Sequence, residues 1–148
     1  MKERYKKTHM TAAFIYAGLS HCIKRKVGCI VVANDTITAF GYNGRAANED
    51  NCCEDEHGNS RDDVIHAEEN AIRKLERDSI SAKGSAMFIT KIPCIKCAER
   101  IVDSGITHVY YCEESRTLKN EGMDHLRKNS VYTEHITPTT IINLENYK

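Results

Sequence analysis

The chain has 148 residues, 41% of them hydrophobic and 28% charged, and its 21 basic and 21 acidic side chains cancel to a formal net charge of zero. That size and composition suit one soluble domain with its own core and exclude a disordered chain. A balanced charge offers no overall field to a polynucleotide backbone, and no apolar run approaches the roughly 20 residues of a membrane-spanning helix. Seven cysteines are an odd number. In a reducing compartment they point to metal binding or catalysis rather than a disulfide framework, and without a secretory pattern at the N-terminus the expectation is a cytosolic protein.

In chain order, Thr8 is placed to cap a helix over 8–20 whose buried face is Ala12, Ile15, Tyr16 and Leu19. Two β-branched runs over 27–33 and 36–42 flank Asn34-Asp35, a hairpin turn signal. Gly41-Tyr42-Asn43-Gly44 then opens a polar loop to residue 63 that holds Cys52, Cys53 and His57, and a loop this long is usually functional or disordered. Ala71, Ile72 and Leu75 predict an amphipathic helix over 67–77, and 85–91 reads as a strand. Pro93 precedes a helix over 94–104 with Ile95, Ala98, Ile101 and Val102 at helical spacing and Gly105 closing it. A strand over 107–112 and a weaker helix over 118–128 follow, and Val131-Tyr132 and Ile141-Ile142 offer a terminal strand or an interface. Alternating strands and helices without repeat or linker imply one layered α/β domain over 1–148.

Chemistry concentrates in His66-Ala67-Glu68 and Pro93-Cys94-Ile95-Lys96-Cys97. Zinc favours nitrogen and thiolate ligands in a tetrahedron, and a catalytic site keeps three protein ligands with water in the fourth place. His66, Cys94 and Cys97 supply the three. Cys94 and Cys97 share one face of a helix's first turn, where unpaired N–H groups lower thiol pKa. Two thiolates cancel the metal charge, so the water is acidified less than at an all-histidine site, where its pKa falls to about 7. A proton acceptor must help, and Glu68, two residues from a ligand, is held near the metal without having to bind it. The competing reading, a redox Cys-x-x-Cys pair or a closed structural site, leaves the His-x-Glu element without a use.

This pairing is the known signature of zinc-dependent nucleobase deaminases, a recognition rather than a derivation. Within that group the chain resembles the deoxycytidylate (dCMP) deaminases, especially the phage type. The stretches that carry the resemblance are Ser20-His21-Cys22-Ile23-Lys24-Arg25-Lys26-Val27-Gly28, Gly41-Tyr42-Asn43-Gly44, Asn51-Cys52-Cys53, Ile65-His66-Ala67-Glu68-Glu69-Asn70-Ala71-Ile72 and the Pro93–Cys97 segment. The resemblance implies a three-layer α/β/α cytidine-deaminase-like fold with a central mixed five-stranded sheet. It also implies a homohexamer that converts dCMP to dUMP on a zinc ion, with Glu68 as proton shuttle and Asn43 on the substrate. Activation by dCTP and inhibition by dTTP, with Mg2+ accompanying the nucleotide, come with it, the regulatory site being expected around Gly41, Tyr42, Asn43 and Gly44.

Lys24, Arg25 and Lys26 precede the first strand, and Arg25 and Lys26 are the favoured contacts to a 5′-phosphate. Tyr111 either lines the pocket or is simply core. Phage-type relatives also carry a second, structural zinc, which the resemblance would place on Cys22, Cys52 and His57. Its fourth ligand departs from the pattern, since Val64 stands where those relatives have glutamate, and Cys53, Asp62 or Asp63 are the substitutes. The alternative is that these are free thiols and a loop histidine. Cys29 and Cys112 lie in strands and read as small buried residues.

Other deaminases of the superfamily act on tRNA adenosine, deoxycytidine or a riboflavin precursor. The lack of basic excess and Thr90-Lys91-Ile92 before Pro93 argue against the first, and Gly-Tyr-Asn-Gly fits the dCMP group better than free nucleosides. A catalytically silent zinc-binding module is disfavoured by Glu68 standing with all three ligands.

Overall fold

A computed structural model describes residues 1–113 and 120–139. The elements are α1 (Glu3–Ala17), β1 (Gly28–Ala33), β2 (Thr36–Tyr42), α2 (Ala67–Arg77), β3 (Ala86–Lys91), α3 (Ile95–Ser104), β4 (His108–Glu113), α4 (Glu121–Lys128) and β5 (Tyr132–His135). The strands form one mixed sheet in the order β2-β1-β3-β4-β5. β1 runs antiparallel to β2 and β3, while β3, β4 and β5 are parallel.

The β1–β2 hairpin turns on Asn34 (φ 50°) and Asp35 (φ 59°), the left-handed pair that matches a two-residue turn to strand twist. β1 and β3 are buried on both faces, so they are nearly continuous apolar runs, as central strands between two helical layers must be. Alternation sends Cys29, Val31, Met87, Ile89 and Val109 to one face, against Leu75 of α2, Ile101 of α3 and Leu126 of α4. Ile30, Val32, Phe88 and Tyr110 go to the other, against Met10 and Ala13 of α1 and against Ile136. The architecture is therefore the expected three-layer α/β/α fold with a mixed five-stranded sheet.

The first helix departs from its reading. It begins at Glu3, and Thr8 is not a cap but an interior residue whose Oγ1 donates to the Arg4 carbonyl. Its buried residues are Met10, Ala13 and Ala17; of the expected face, Ala12 and Tyr16 pack partly buried against the core, while Ile15 and Leu19 are exposed. The close approach of Gly28 explains the shift: a Cβ there would meet the Ala13 carbonyl oxygen at 2.1 Å, so small residues must face the sheet. The weak helix expected over 118–128 starts, within the described residues, at Glu121, and the Val131-Tyr132 signal becomes β5. Ile141 and Ile142 lie outside the described residues. No described helix is long and apolar enough to cross a membrane.

Gly41 is fixed by the same kind of contact on the opposite face. A Cβ at this position would meet the Ala67 carbonyl oxygen at 2.1 Å and the Ala71 nitrogen at 2.7 Å, both backbone atoms of α2. Asn70 Nδ2 and Lys74 Nζ then bind the helix down, donating to the Tyr42 and Phe40 carbonyls at 2.8 and 2.9 Å. Gly41→Ala is expected to lower stability by about 1–3 kcal/mol through overpacking that no side-chain rotation relieves, read as a fall in the thermal unfolding midpoint.

Candidate active site

α2 and α3 begin side by side, and each starts on a metal-ligand candidate. His66 and Cys94 occupy the N-cap positions with extended backbone, and neither side chain caps its helix. That leaves the imidazole and thiol free at a point where two helix N-termini favour negative charge. Cys97 lies on the first turn of α3, buried. His66 Nδ1 is 3.3 Å from Cys97 Sγ and 3.6 Å from Cys94 Sγ, and these are the cation-sized His/Cys/Asp/Glu cluster among the described residues.

Those separations test whether a metal fits. Bonds of about 2.0 Å to nitrogen and 2.3 Å to sulfur, arranged tetrahedrally, put neighbouring N and S donors about 3.6 Å apart. The three side chains therefore present the edges of a zinc tetrahedron through Nδ1 and two sulfurs. Electrostatics agree: hydrogen bonding from Cys97 and His66 pulls the Cys94 thiol down to about 3, and that negative neighbour with burial drives Cys97 upward. A divalent cation relieves the repulsion that keeps the second sulfur protonated.

Glu68 follows on the first turn of α2, only 3% exposed. Burial pushes its carboxyl up to about 7, opposed by its own backbone N–H, His66 and a contact with Cys97. A carboxyl poised near neutrality can both accept and return a proton. His66, Glu68 and Cys94 open onto a cleft of about 880 Å³, whose far wall includes Lys24, Arg25 and Asn43.

The remaining predicted residues divide. Arg25 lines the cleft, but Lys26 does not: its Nζ turns back to the Ser20 carbonyl, and Lys24 takes its place on the wall. Tyr111 is not on the wall either; it packs at the edge of the core with its ring 5.6 Å from that of His135. Asn43 reaches the cleft, yet its amide is committed to the chain, Nδ2 donating to the Arg25 carbonyl and Oδ1 accepting from the Val27 N–H. Tyr42, Asn43 and Gly44 border a second pocket of about 310 Å³ with His21, Arg45 and Lys74, whereas Gly41 lies under α2 and lines neither.

Cys22, Cys52 and His57 are not brought together. Cys22 is joined to Cys53 in a disulfide, Cys52 donates to the Glu54 carbonyl, and His57 stands exposed beside Glu56. The physical reason is the course of the loop, which turns the Cys53 sulfur inward and the Cys52 sulfur back onto its own backbone. Val64 lines the cleft without offering a ligand atom. The disulfide also corrects the expectation that no cysteine pairs.

Two residues escaped the sequence reading. Arg45 forms ion pairs with Asp63, Asp50 and Glu49 at 2.7, 2.9 and 3.2 Å, and its guanidinium is largely covered. Beside it Gly44 and Ile65 exchange backbone hydrogen bonds, so both ends of the long loop are zipped together immediately before His66. Glu54 accepts the N–H groups of Ile23 and Lys24 and is 7% exposed. A carboxylate in an acidic loop carries no periodic signal that would have singled it out.

A centre of this kind, at the helix starts of an α/β/α sheet, falls in the class of zinc-dependent deaminases. The chain belongs to the cytidine and deoxycytidylate deaminase zinc-binding family, whose model matches residues 3–113. A dCMP deaminase of cyanophage S-TIM5, solved in complex with dCMP and dUMP, superposes with a TM-score of 0.88 at 39% identity, covering 92% of this chain and 99% of that one. The deoxycytidylate deaminase of Saccharomyces cerevisiae is 33% identical over 83% of this chain, which spans 44% of the yeast protein's length. That of Enterobacteria phage T4 is 27% identical over 95% of this chain and 94% of its own.

Metal analysis of the purified protein is expected to give one zinc per chain, lost in His66→Ala and Cys97→Ser. Two zincs in the oxidised protein would contradict the pairing of Cys22 with Cys53.

Proposed function

We propose that the protein hydrolyses dCMP to dUMP and ammonia. The observation that carries this reading is a single cleft lined by His66 and Cys94 of the donor set, by buried Glu68 and by the Lys24 and Arg25 cations. Similarity to the cyanophage enzyme, itself solved with dCMP and dUMP, supports the substrate.

His66 Nδ1 and the two thiolates would hold a zinc ion, which would supply the Lewis acidity to activate water for attack on C4 of cytosine. Glu68 accepts the proton that water releases and delivers it to ring N3. It then moves the second proton to the departing amino group, so that water's oxygen remains as the C4 carbonyl and nitrogen leaves as ammonia. The near-neutral carboxyl suits both directions of transfer. Lys24 and Arg25 hold the 5′-phosphate by charge-assisted hydrogen bonds, and Asn43 acts on the substrate chiefly by fixing the backbone from which they project.

Regulation by dCTP and dTTP with Mg2+ belongs to the same reading, supported by the smaller pocket that Tyr42, Asn43 and Gly44 border. The homohexameric assembly belongs to this reading, and the exposed Ile15, Leu19 and Ile37 are apolar surface available to it.

Glu68→Gln is expected to retain zinc and lose ammonia release by several orders of magnitude, as proton transfer and electrostatic stabilisation are removed together; near-native turnover would end the mechanism. The substrate is tested by ammonia release from dCMP, dCTP, deoxycytidine and CMP, each with and without added dCTP or dTTP. dCMP is expected to be turned over best, and preference for a nucleoside or for dCTP would overturn the assignment.

A further inference from the structure

The segment between α1 and β1 puts Lys24 and Arg25 on the cleft wall, and apolar packing anchors its end at Val27 but not its middle, where Ile23 is 84% exposed. Its fixation is polar and covalent, and comes from the loop between β2 and α2. Asn43 clamps the Arg25 carbonyl and the Val27 N–H at 2.8 and 2.9 Å. Cys53 ties Cys22, with their Cα atoms 5.0 Å apart. The next residue, Glu54, accepts the consecutive N–H groups of Ile23 and Lys24 on one carboxylate oxygen, at 2.8 and 2.9 Å.

Glu54 is 93% buried, by difference from its 7% exposure, and the hydrogen bonds from Lys24 and Ile23 hold its carboxyl below the ordinary carboxylate range against the opposing effect of burial. Its second oxygen is hidden from solvent and has no partner among the described residues. A buried carboxylate with half its hydrogen-bonding capacity unused is a poor stabiliser of a fold. What it does achieve is to orient two successive peptide groups, and these belong to the residues that carry the cleft's cations.

We propose that Glu54 is the positioning residue of the phosphate subsite: by gripping the Ile23 and Lys24 N–H groups it sets the direction in which Lys24 and Arg25 enter the cleft, and so makes the site select a nucleotide over a nucleoside. The inference rests on the dCMP reading above. It assigns no contact between Glu54 and the ligand. The carboxylate acts through the backbone, and its negative charge is countered locally by the two N–H dipoles and the Lys24 side chain.

The test uses dUMP and deoxyuridine, unreactive product-side ligands that differ only in the phosphate, with calorimetric binding to zinc-loaded protein. Glu54→Ala is expected to weaken dUMP about 10-fold or more, leave deoxyuridine and zinc content unchanged, and raise KM for dCMP with little change in kcat. Glu54→Gln keeps an acceptor oxygen for both N–H groups and is expected to recover most of the loss. Equal weakening of both ligands, or none, overturns the proposal, and so does a glutamine variant as impaired as the alanine one, which would make the carboxylate a direct ligand contact. Should Glu54→Ala fail to fold, Lys24→Met and Arg25→Met must each reproduce the phosphate-specific loss, and unchanged dUMP binding in either overturns it. Failure of the wild-type protein to release ammonia from dCMP sinks the functional reading and this inference with it, whereas deamination combined with an unselective Glu54 effect sinks the inference alone.

Discussion

The meeting of two helix N-termini over one imidazole and two sulfurs is the constraint on which the rest of the molecule depends. Left without a cation, the site would set a thiolate against a thiol held protonated, beside a raised carboxyl. Bringing α2 and α3 together requires β3 to lie beside β1, which is what the strand order achieves. It also requires α2 to sit tightly on β2, which Gly41, Asn70 and Lys74 secure. The N-cap positions, elsewhere given to side chains that bind their own backbone, are here left free for metal.

Opposite that wall the cleft is built from irregular backbone, and its order comes from polar contacts rather than core burial. Arg45 and the Gly44–Ile65 pairing close the base of the long loop, while Asn43, Cys53 and Glu54 fasten its inner edge to the turn before β1. The chemistry is thus carried by regular elements and the substrate-facing rim by a loop. A rigid scaffold supporting a variable rim is how related enzymes can share one reaction and differ in what they accept.

Much of this was legible in the chain. The central strands, the hairpin turn at Asn34-Asp35 and the closure of α3 by Gly105 follow from local pattern, because each depends on neighbours in sequence, whereas His66, Cys94 and Cys97 were found by recognising a known signature whose two halves only the fold brings together. The misreadings share a different cause. The face of α1 was half right: Ala12 and Tyr16 pack against the core, but Ile15 and Leu19 do not, because the close approach of Gly28 brings Ala13 and Ala17 to the sheet and hydrophobicity cannot register a contact made through an absent side chain. Lys24 and Lys26 look alike in a basic run, and only the turn decides that one faces the cleft while the other closes on Ser20. The choice between Cys52 and Cys53 likewise hangs on loop direction, and the committed amide of Asn43 on a partner 18 residues away.

Gly28 and Gly41 sit on neighbouring paired strands, next to each other in register, and receive α1 and α2 from opposite faces. At that point three layers are compressed to bare backbone, with no side chain between to yield by changing rotamer. The sheet is therefore clasped at its thinnest point between α1 and α2, and α2 is the helix that starts after His66 and carries Glu68. The N-terminal helix thus backs the sheet directly behind the strand on which α2 is seated.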